Sequence, residues 1–302
     1  MTPSLGRHII VNYHYIRDKA QTPFQGIHAC APDLFRRQIA YLKKNYTIAL
    51  FGDVYEAAKQ GSAESMAAIT FDDGFRDHLE IALPALKNAG IRGTFFPVTL
   101  PWEGKIPAPY KLHILLSHLP AEELIARFEI YMKREGREGA IPRDHRINEQ
   151  RRFDDALTSN LKETLMRLDD ETKTGFLNEV FRSLFADEAA ETRKLFMTTE
   201  EIKLLVREGM EIGSHTHTHI SLESAPADAQ TDEITKGHRF LEDALRIRLT
   251  SFSYPHGRWN DATQHILQAL GIKRAAILGA CAVEASTSIY EIPRYDANDL
   301  LV

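Results

Sequence analysis

Apolar positions along this chain fall into short runs of strand type, and these alternate with stretches whose apolar residues recur at helical period. The run Ile9-Ile10-Val11-Asn12-Tyr13-His14-Tyr15 is β-branched and aromatic and predicts a buried strand with His14 near its end. Asp33 is placed to cap a helix over Leu34 to Lys44, after which come a short strand, Thr47 to Leu50, and a helix, Gly52 to Gln60. Met66 to Phe71 reads as a strand running into Asp72, Asp73 and Gly74. A helix over Asp77 to Ala89, stopped by Gly90, leads to a strand over Gly93 to Val98.

Later in the chain Thr198 and Glu201 form a capping box for a helix ending at Gly209, and the strand Met210 to Ile212 follows. A long helix (Asp228 to Arg248), a strand (Ser251 to Tyr254), a helix (Asp261 to Leu270) and a strand (Arg274 to Leu278) complete the pattern. Repeated strand-helix units of this length predict an α/β fold with a parallel sheet, and closure into a barrel would bring the strand C-terminal ends to one mouth.

Lys105 to Leu195 interrupts the alternation with a composition rich in Leu, Glu, Lys and Arg, which is helical. Helices are expected at Lys111 to His118, Ala121 to Arg134, Gln150 to Leu168 and Glu171 to Phe185. The domain expectation is one barrel over residues 1–302 with this helical insertion serving as a lid or substrate wall; packing ballast or a dimer surface is the plainer reading of it.

Composition narrows the class. The 302 residues are 43% hydrophobic and 26% charged, as in a soluble globular protein. A net charge of −5, from 37 basic and 42 acidic residues, offers no general attraction to nucleic acid or to an anionic membrane. No window approaches the ~20 apolar residues of a membrane span, and no signal peptide is read in Met1 to Ile16, so the expected location is cytoplasmic. Cys30 and Cys281 lack metal-ligand spacing and are expected to be buried free thiols.

The candidate chemistry lies at two strand ends. Asp72 and Asp73 are adjacent carboxylates before a glycine, a pattern that also serves ordinary turns. A turn at Gly74 would swing both acids toward one cleft. His215, His217 and His219 follow the Met210 strand at alternate positions, and on a helical turn His215 and His219 would face the same way. One of these histidines is unremarkable; the group, taken with a carboxylate, points to a site of two imidazoles and one carboxylate that leaves positions open for water and substrate.

At these residues the chain resembles the polysaccharide deacetylases that share the NodB homology domain, carbohydrate esterase family 4. Thr70-Phe71-Asp72-Asp73-Gly74 matches the family's first motif, and His215-Thr216-His217-Thr218-His219 its second. Phe252-Ser253-Tyr254-Pro255-His256-Gly257 matches the third in part, and Ile9 to Tyr15 looks like the opening strand. The resemblance implies a distorted (β/α) barrel of about seven strands. It implies Asp73, His215 and His219 as ligands of a divalent ion, most simply Zn²⁺, with Asp72 as the base that takes a proton from water. It implies the backbone N–H of His256 as a donor to the tetrahedral oxyanion.

Two positions depart from the family. Ser253 stands where its third motif carries an Arg, and Arg294, in Ile292-Pro293-Arg294-Tyr295-Asp296, is the substitute proposed. No His follows His265, so the late motif that supplies a general acid is missing, leaving His14, His217 and His256 as candidates. The implied activity is metal-dependent removal of an acetyl or formyl group from an amino sugar. The expected substrate is a nucleotide-linked, lipid-linked or short-oligosaccharide precursor of a surface polysaccharide. Hydrolysis of another amide on the same fold, or a metal-retaining carbohydrate-binding module, are the alternatives; Asp72 is superfluous for binding alone.

Overall fold

The Ile9 strand owes its place to what its two faces meet. In this computed structural model, which describes residues 5–22, 24, 27–149, 151 and 154–300, β1 (His8–Tyr13) is buried along its whole length. Its Ile9, Val11 and Tyr13 pack outward with Phe35, Ile39 and Leu42 of α1 (Pro32–Asn45), whereas Ile10 belongs to an inner cluster. Chain order continues through β2 (Thr47–Ala49), α2 (Phe51–Lys59) and β3 (Met66–Asp73). A π-helical turn, His78–Ala82, runs into α3 (Leu83–Ala89), and Gly90 closes that helix in the left-handed conformation. Next come β4 (Thr94–Pro97) and a 3₁₀ turn, Leu100–Glu103.

The helices α4 (Ala108–Leu116), α5 (Ala121–Arg134), α6 (Ala156–Arg167), α7 (Asp170–Leu184) and α8 (Glu188–Leu195) follow, then α9 (Thr199–Arg207) and β5 (Glu211–Ile212). The remainder is α10 (Ala227–Leu245), β6 (Ser251–Ser253), α11 (Asp261–Ala269), β7 (Arg274–Ala276) and β8 (Tyr295–Asp296).

The named strands pair in parallel throughout. The order β5-β4-β3-β1-β8 forms one sheet, with β2 alongside the start of β3, and β6 pairs with β7. Single bridges, Ser214 to Phe252 and Ala276 to Ile292, join the two sheets on both sides. The ring therefore closes with seven strands, β2 lying outside it, and its seams are one bridge wide: a distorted (β/α) barrel. Ile10, Ala68, Phe96, Ala276 and Ile292 fill the interior with Phe51, Val54 and Tyr55 of α2. Outward residues such as Ile69, Phe71 and Phe95 pack beneath α1 and α3.

By contact density the chain divides into two units. One, from Met1–Asp18, Ala29–Gly104 and Thr192–Val302, holds the barrel; the other is Lys105–Glu191 with Lys19–His28. The second unit buries Leu124, Phe128, Phe176, Leu177 and Phe181, with the Phe128 and Phe176 rings 5.2 Å apart, edge to face. Its recruitment of Lys19–His28 was not expected.

Several sequence expectations need correction. Helix α1 starts at Pro32 with Ala31 as N-cap, so Asp33 sits in the first turn and does not cap it. The helix expected over Asp77 to Ala89 opens with the π turn. Gln150, Arg152 and Phe153, expected in a helix, and Met1 to Ser4 lie outside the described residues; α6 begins at Ala156, capped by Asp155. Helix α8 went unforeseen. Both cysteines are free, but only Cys30 is buried, and Cys281 is exposed. No helix among the described residues is long and apolar enough to cross a membrane.

Candidate active site

The barrel's inner face turns polar toward the C-terminal ends of β1 and β3. Asn12 pairs with Thr70 across the two strands, and Thr70 and Asp72, two apart, share one face. Neighbouring residues on a strand point to opposite faces, so Asp73 would be lost to the site if β3 simply continued. It is not, because Asp73 has φ 76° and Gly74 φ 79°, a bend only glycine accommodates freely at 74. A Cβ on Gly74 would also lie 2.7 Å from the Pro97 side chain of β4.

Asp72 is bonded through both of its oxygens. Arg294, just before β8, grips it in a two-pronged pair, Nη1 to Oδ1 at 2.8 Å and Nη2 to Oδ2 at 2.7 Å. Asn12 Nδ2 and Ser253 Oγ, each at 3.1 Å, donate to Oδ2 as well. Arg294 Nη1 also donates to Asn12 Oδ1 at 2.9 Å, and the guanidinium lies 5.7 Å from the centre of the Phe96 ring. Arg294 is 1% exposed and Asp72 2%, so the pair is buried. Burial opposes the charge of Asp72, but the adjacent Arg294 and then His215 outweigh it and hold the carboxyl well below the usual carboxylate range.

The second motif is a loop after β5, as its sequence reads, in which Thr216 and His219 take φ of 67° and 63°. His215 and His219 come together, ring centres 4.9 Å apart. His215 Nε2 is 3.3 Å and His219 Nε2 3.6 Å from Asp73 Oδ1. His215 Nδ1 lies 2.7 Å from the carbonyl of Ser253, which can only accept, so that nitrogen carries the hydrogen and Nε2 offers a lone pair to the cluster. Burial, His256 and His215 push His219 well below its ordinary value, whereas for His215 burial is overcome by Asp72 and Asp73 and the shift is upward. Burial also opposes the charge of Asp73, yet the neighbouring imidazoles, His215 foremost, hold it low.

Asp73, His215 and His219 thus present ligand atoms within 4.8 Å of one another, all from buried residues. Lone pairs facing a carboxylate at this distance fit a cation held among them. Two nitrogens and one oxygen suit Zn²⁺, and a three-ligand set leaves coordination positions open.

The other candidates divide. His256, at φ 58° in the turn after β6, sets its ring edge-on to His219, centres 4.6 Å apart. His14, half-buried at the end of β1, lies near enough to influence both Asp72 and Asp73. His217 is turned to other work, with Nδ1 2.8 Å from Thr99 Oγ1 and Nε2 3.5 Å from Glu103 Oε1. Sequence pattern alone does not assign Asn12 and Ser253 to Asp72. The available signal was a polar residue inside an apolar strand run, where burial demands a hydrogen bond.

The sequence profile of the polysaccharide deacetylase family matches residues 59–112 and 152–275. The Bacillus subtilis protein YxkH, whose own assignment as a polysaccharide deacetylase is provisional, is 25% identical over 101 residues, 33% of this chain and 36% of that one; the match spans about a third of the relative. Among solved structures, the Streptococcus pyogenes deacetylase PplD in complex with acetate aligns with a TM-score of 0.59 at 19% identity, over 97% of this chain and 93% of the other. IcaB from Ammonifex degensii aligns at 0.58 and 16% identity, over 95% and 90%. At these identities the likeness is one of fold.

Proposed function

This chain belongs to the polysaccharide deacetylase family, and from that premise we propose that it removes N-acyl groups from amino sugars by metal-assisted hydrolysis. The observation that carries the reading is the adjacency of two differently prepared carboxylates: Asp73 among the imidazoles of His215 and His219, and Asp72 in the grip of Arg294.

Asp73, His215 and His219 would hold the ion. When bound, a divalent ion there supplies Lewis acidity, polarising an amide carbonyl and making a water more acidic. Asp72 is ionised throughout the working range and fixed in direction, so it is ready to take a proton from attacking water. It is a weak base, because the same bonds that orient it also stabilise its charge. The backbone N–H of His256 is proposed as donor to the oxyanion. Protonation of the leaving amine falls to one of two imidazoles, His14 or His256, since His217 is engaged with Thr99 and Glu103. The helical unit, Lys105–Glu191 with Lys19–His28, is proposed to serve substrate recognition.

PplD was solved with acetate, which supports acetyl as the first acyl group to assay. A pocket separates acetyl from formyl by one methyl, about 1–3 kcal/mol, so both belong in the test. Small cytoplasmic precursors of a surface polysaccharide, nucleotide-linked or lipid-linked, are proposed as substrates. Amine release from N-acetyl and N-formyl sugar nucleotides, beside chitin oligomers and peptidoglycan, tests this. Release from small precursors supports it; activity confined to long polymers overturns the choice of substrate, and no release from any N-acyl sugar overturns the activity.

A further inference from the structure

The loop that carries the two imidazoles is held from behind by α10. Glu233 Oε2 accepts the backbone N–H of His217 at 3.2 Å and of Thr218 at 2.8 Å, while Oε1 accepts the Thr218 hydroxyl at 2.6 Å. The next N–H, that of His219, donates to Thr216 Oγ1 at 3.2 Å. Three successive backbone donors are thereby satisfied, two of them by one carboxylate. One turn further along α10, Gly237 lets the helix backbone touch the loop: a Cβ there would lie 2.5 Å from the Thr216 carbonyl carbon and 2.9 Å from His217 N.

Thr216 and His219 both hold positive φ without being glycine, a conformation that lasts only where the surroundings enforce it. A carboxylate drawing consecutive N–H groups to one point enforces such a turn. We propose that Glu233 is a positioning residue for the metal site: it fixes the backbone conformation in which His215 and His219 converge on Asp73. The inference rests on the metal reading above. Glu233 need not touch the ion; it acts by keeping the loop from relaxing, which would carry the His219 ring away from Asp73 and weaken binding.

The test is zinc affinity of the full chain, measured by competition with a chromophoric chelator, for the wild type, Glu233→Gln and Asp232→Asn. Glu233→Gln keeps the size of the side chain but cannot accept all three hydrogen bonds. Asp232→Asn removes the same charge from the neighbouring exposed residue. Zinc dissociation should rise about ten- to hundredfold in Glu233→Gln, as for other groups that orient metal ligands, and stay unchanged in Asp232→Asn. A contribution to folding alone would lower the melting temperature of the metal-free Glu233→Gln protein and leave its zinc affinity untouched, and that result overturns the proposal. Equal loss in Asp232→Asn also overturns it, since bulk charge would then be the cause. If Glu233→Gln does not fold, Glu233→Asp replaces it, with the same loss expected and unchanged affinity counting against. Failure of the wild type to take up zinc defeats the metal reading itself; normal wild-type uptake with normal uptake in Glu233→Gln defeats only the role of Glu233.

Discussion

Arg294 Nη2 donates to the Ser253 hydroxyl at 2.8 Å, and both groups meet the same oxygen of Asp72. Where the family's third motif carries an arginine this chain has a short hydroxyl side chain, and a guanidinium reaches the carboxylate from the segment before β8 instead. A buried carboxylate needs a charged partner more than it needs one from a given strand.

Removing that partner should be costly in two ways. Arg294→Met leaves a buried carboxylate without its counter-charge, which typically destabilises by about 3–5 kcal/mol, read from urea denaturation. Asp72 would lose the strongest influence holding its pKa down, so the acid limb of the pH–rate profile should move to higher pH. Arg294→Lys keeps the charge and loses the two-pronged geometry, and should fall between. An unmoved acid limb in Arg294→Met would separate Asp72 from the titration that limits the rate.

Asp72→Asn preserves shape and removes the proton acceptor. Turnover should fall by about 10²–10⁴ while zinc content, measured by elemental analysis, stays at the wild-type level. Near-normal turnover would mean that another group takes the proton.

The three histidines of the loop should behave unequally. His215→Ala and His219→Ala should each lose the ion, whereas His217→Ala should retain it, because its ring is bonded to Thr99 and Glu103. Retention of zinc by a His215→Ala, His219→Ala double variant would show that the ligands were wrongly chosen.

Acid should weaken the fold through a residue outside the chemistry. His78 lies among the rings of Phe71, Phe75 and Phe95, with Nε2 2.7 Å from the carbonyl of His14, and burial pushes its pKa from the ordinary 6.5 down to about 4. The folded state therefore binds fewer protons than the unfolded one between those values. The stability His78 contributes is complete above about pH 6.5 and is lost as pH falls toward 4, a loss of about 3 kcal/mol at 1.36 kcal/mol per unit. His78→Phe should flatten this part of the stability curve; an identical slope in the variant would assign it to other groups.

What the sequence made legible was local. Periodicity marked Ala121–Arg134 as a helix with both ends right, and Thr198 with Glu201 announced α9 through a reciprocal cap that needs nothing else from the fold. The clusters at 72–73 and 215–219 stood out because apolar strands ran into them. Less visible were features decided by distant partners. The π turn at His78 lies against Phe71 and Phe95 from two strands, and the shape of the histidine loop depends on a carboxylate from α10. Asn12 looked like an ordinary strand residue, because its role appears only when Asp72 and Arg294 are beside it.

The one-bridge seams on either side of β6 and β7 bear on when the site comes into being. Asp72 and Arg294 are 222 residues apart in the chain, and the guanidinium arrives just beyond the bridge that joins Ala276 to Ile292. Contacts so remote pay their loop-closure entropy late in folding. A chain that had zipped only β1, β3 and β4 would hold Asp72 on an open sheet without its counter-charge, leaving the acid hydrated. Closing the ring and arming the acid are then one kinetic event, and the rate at which activity appears on refolding should follow the docking of β8.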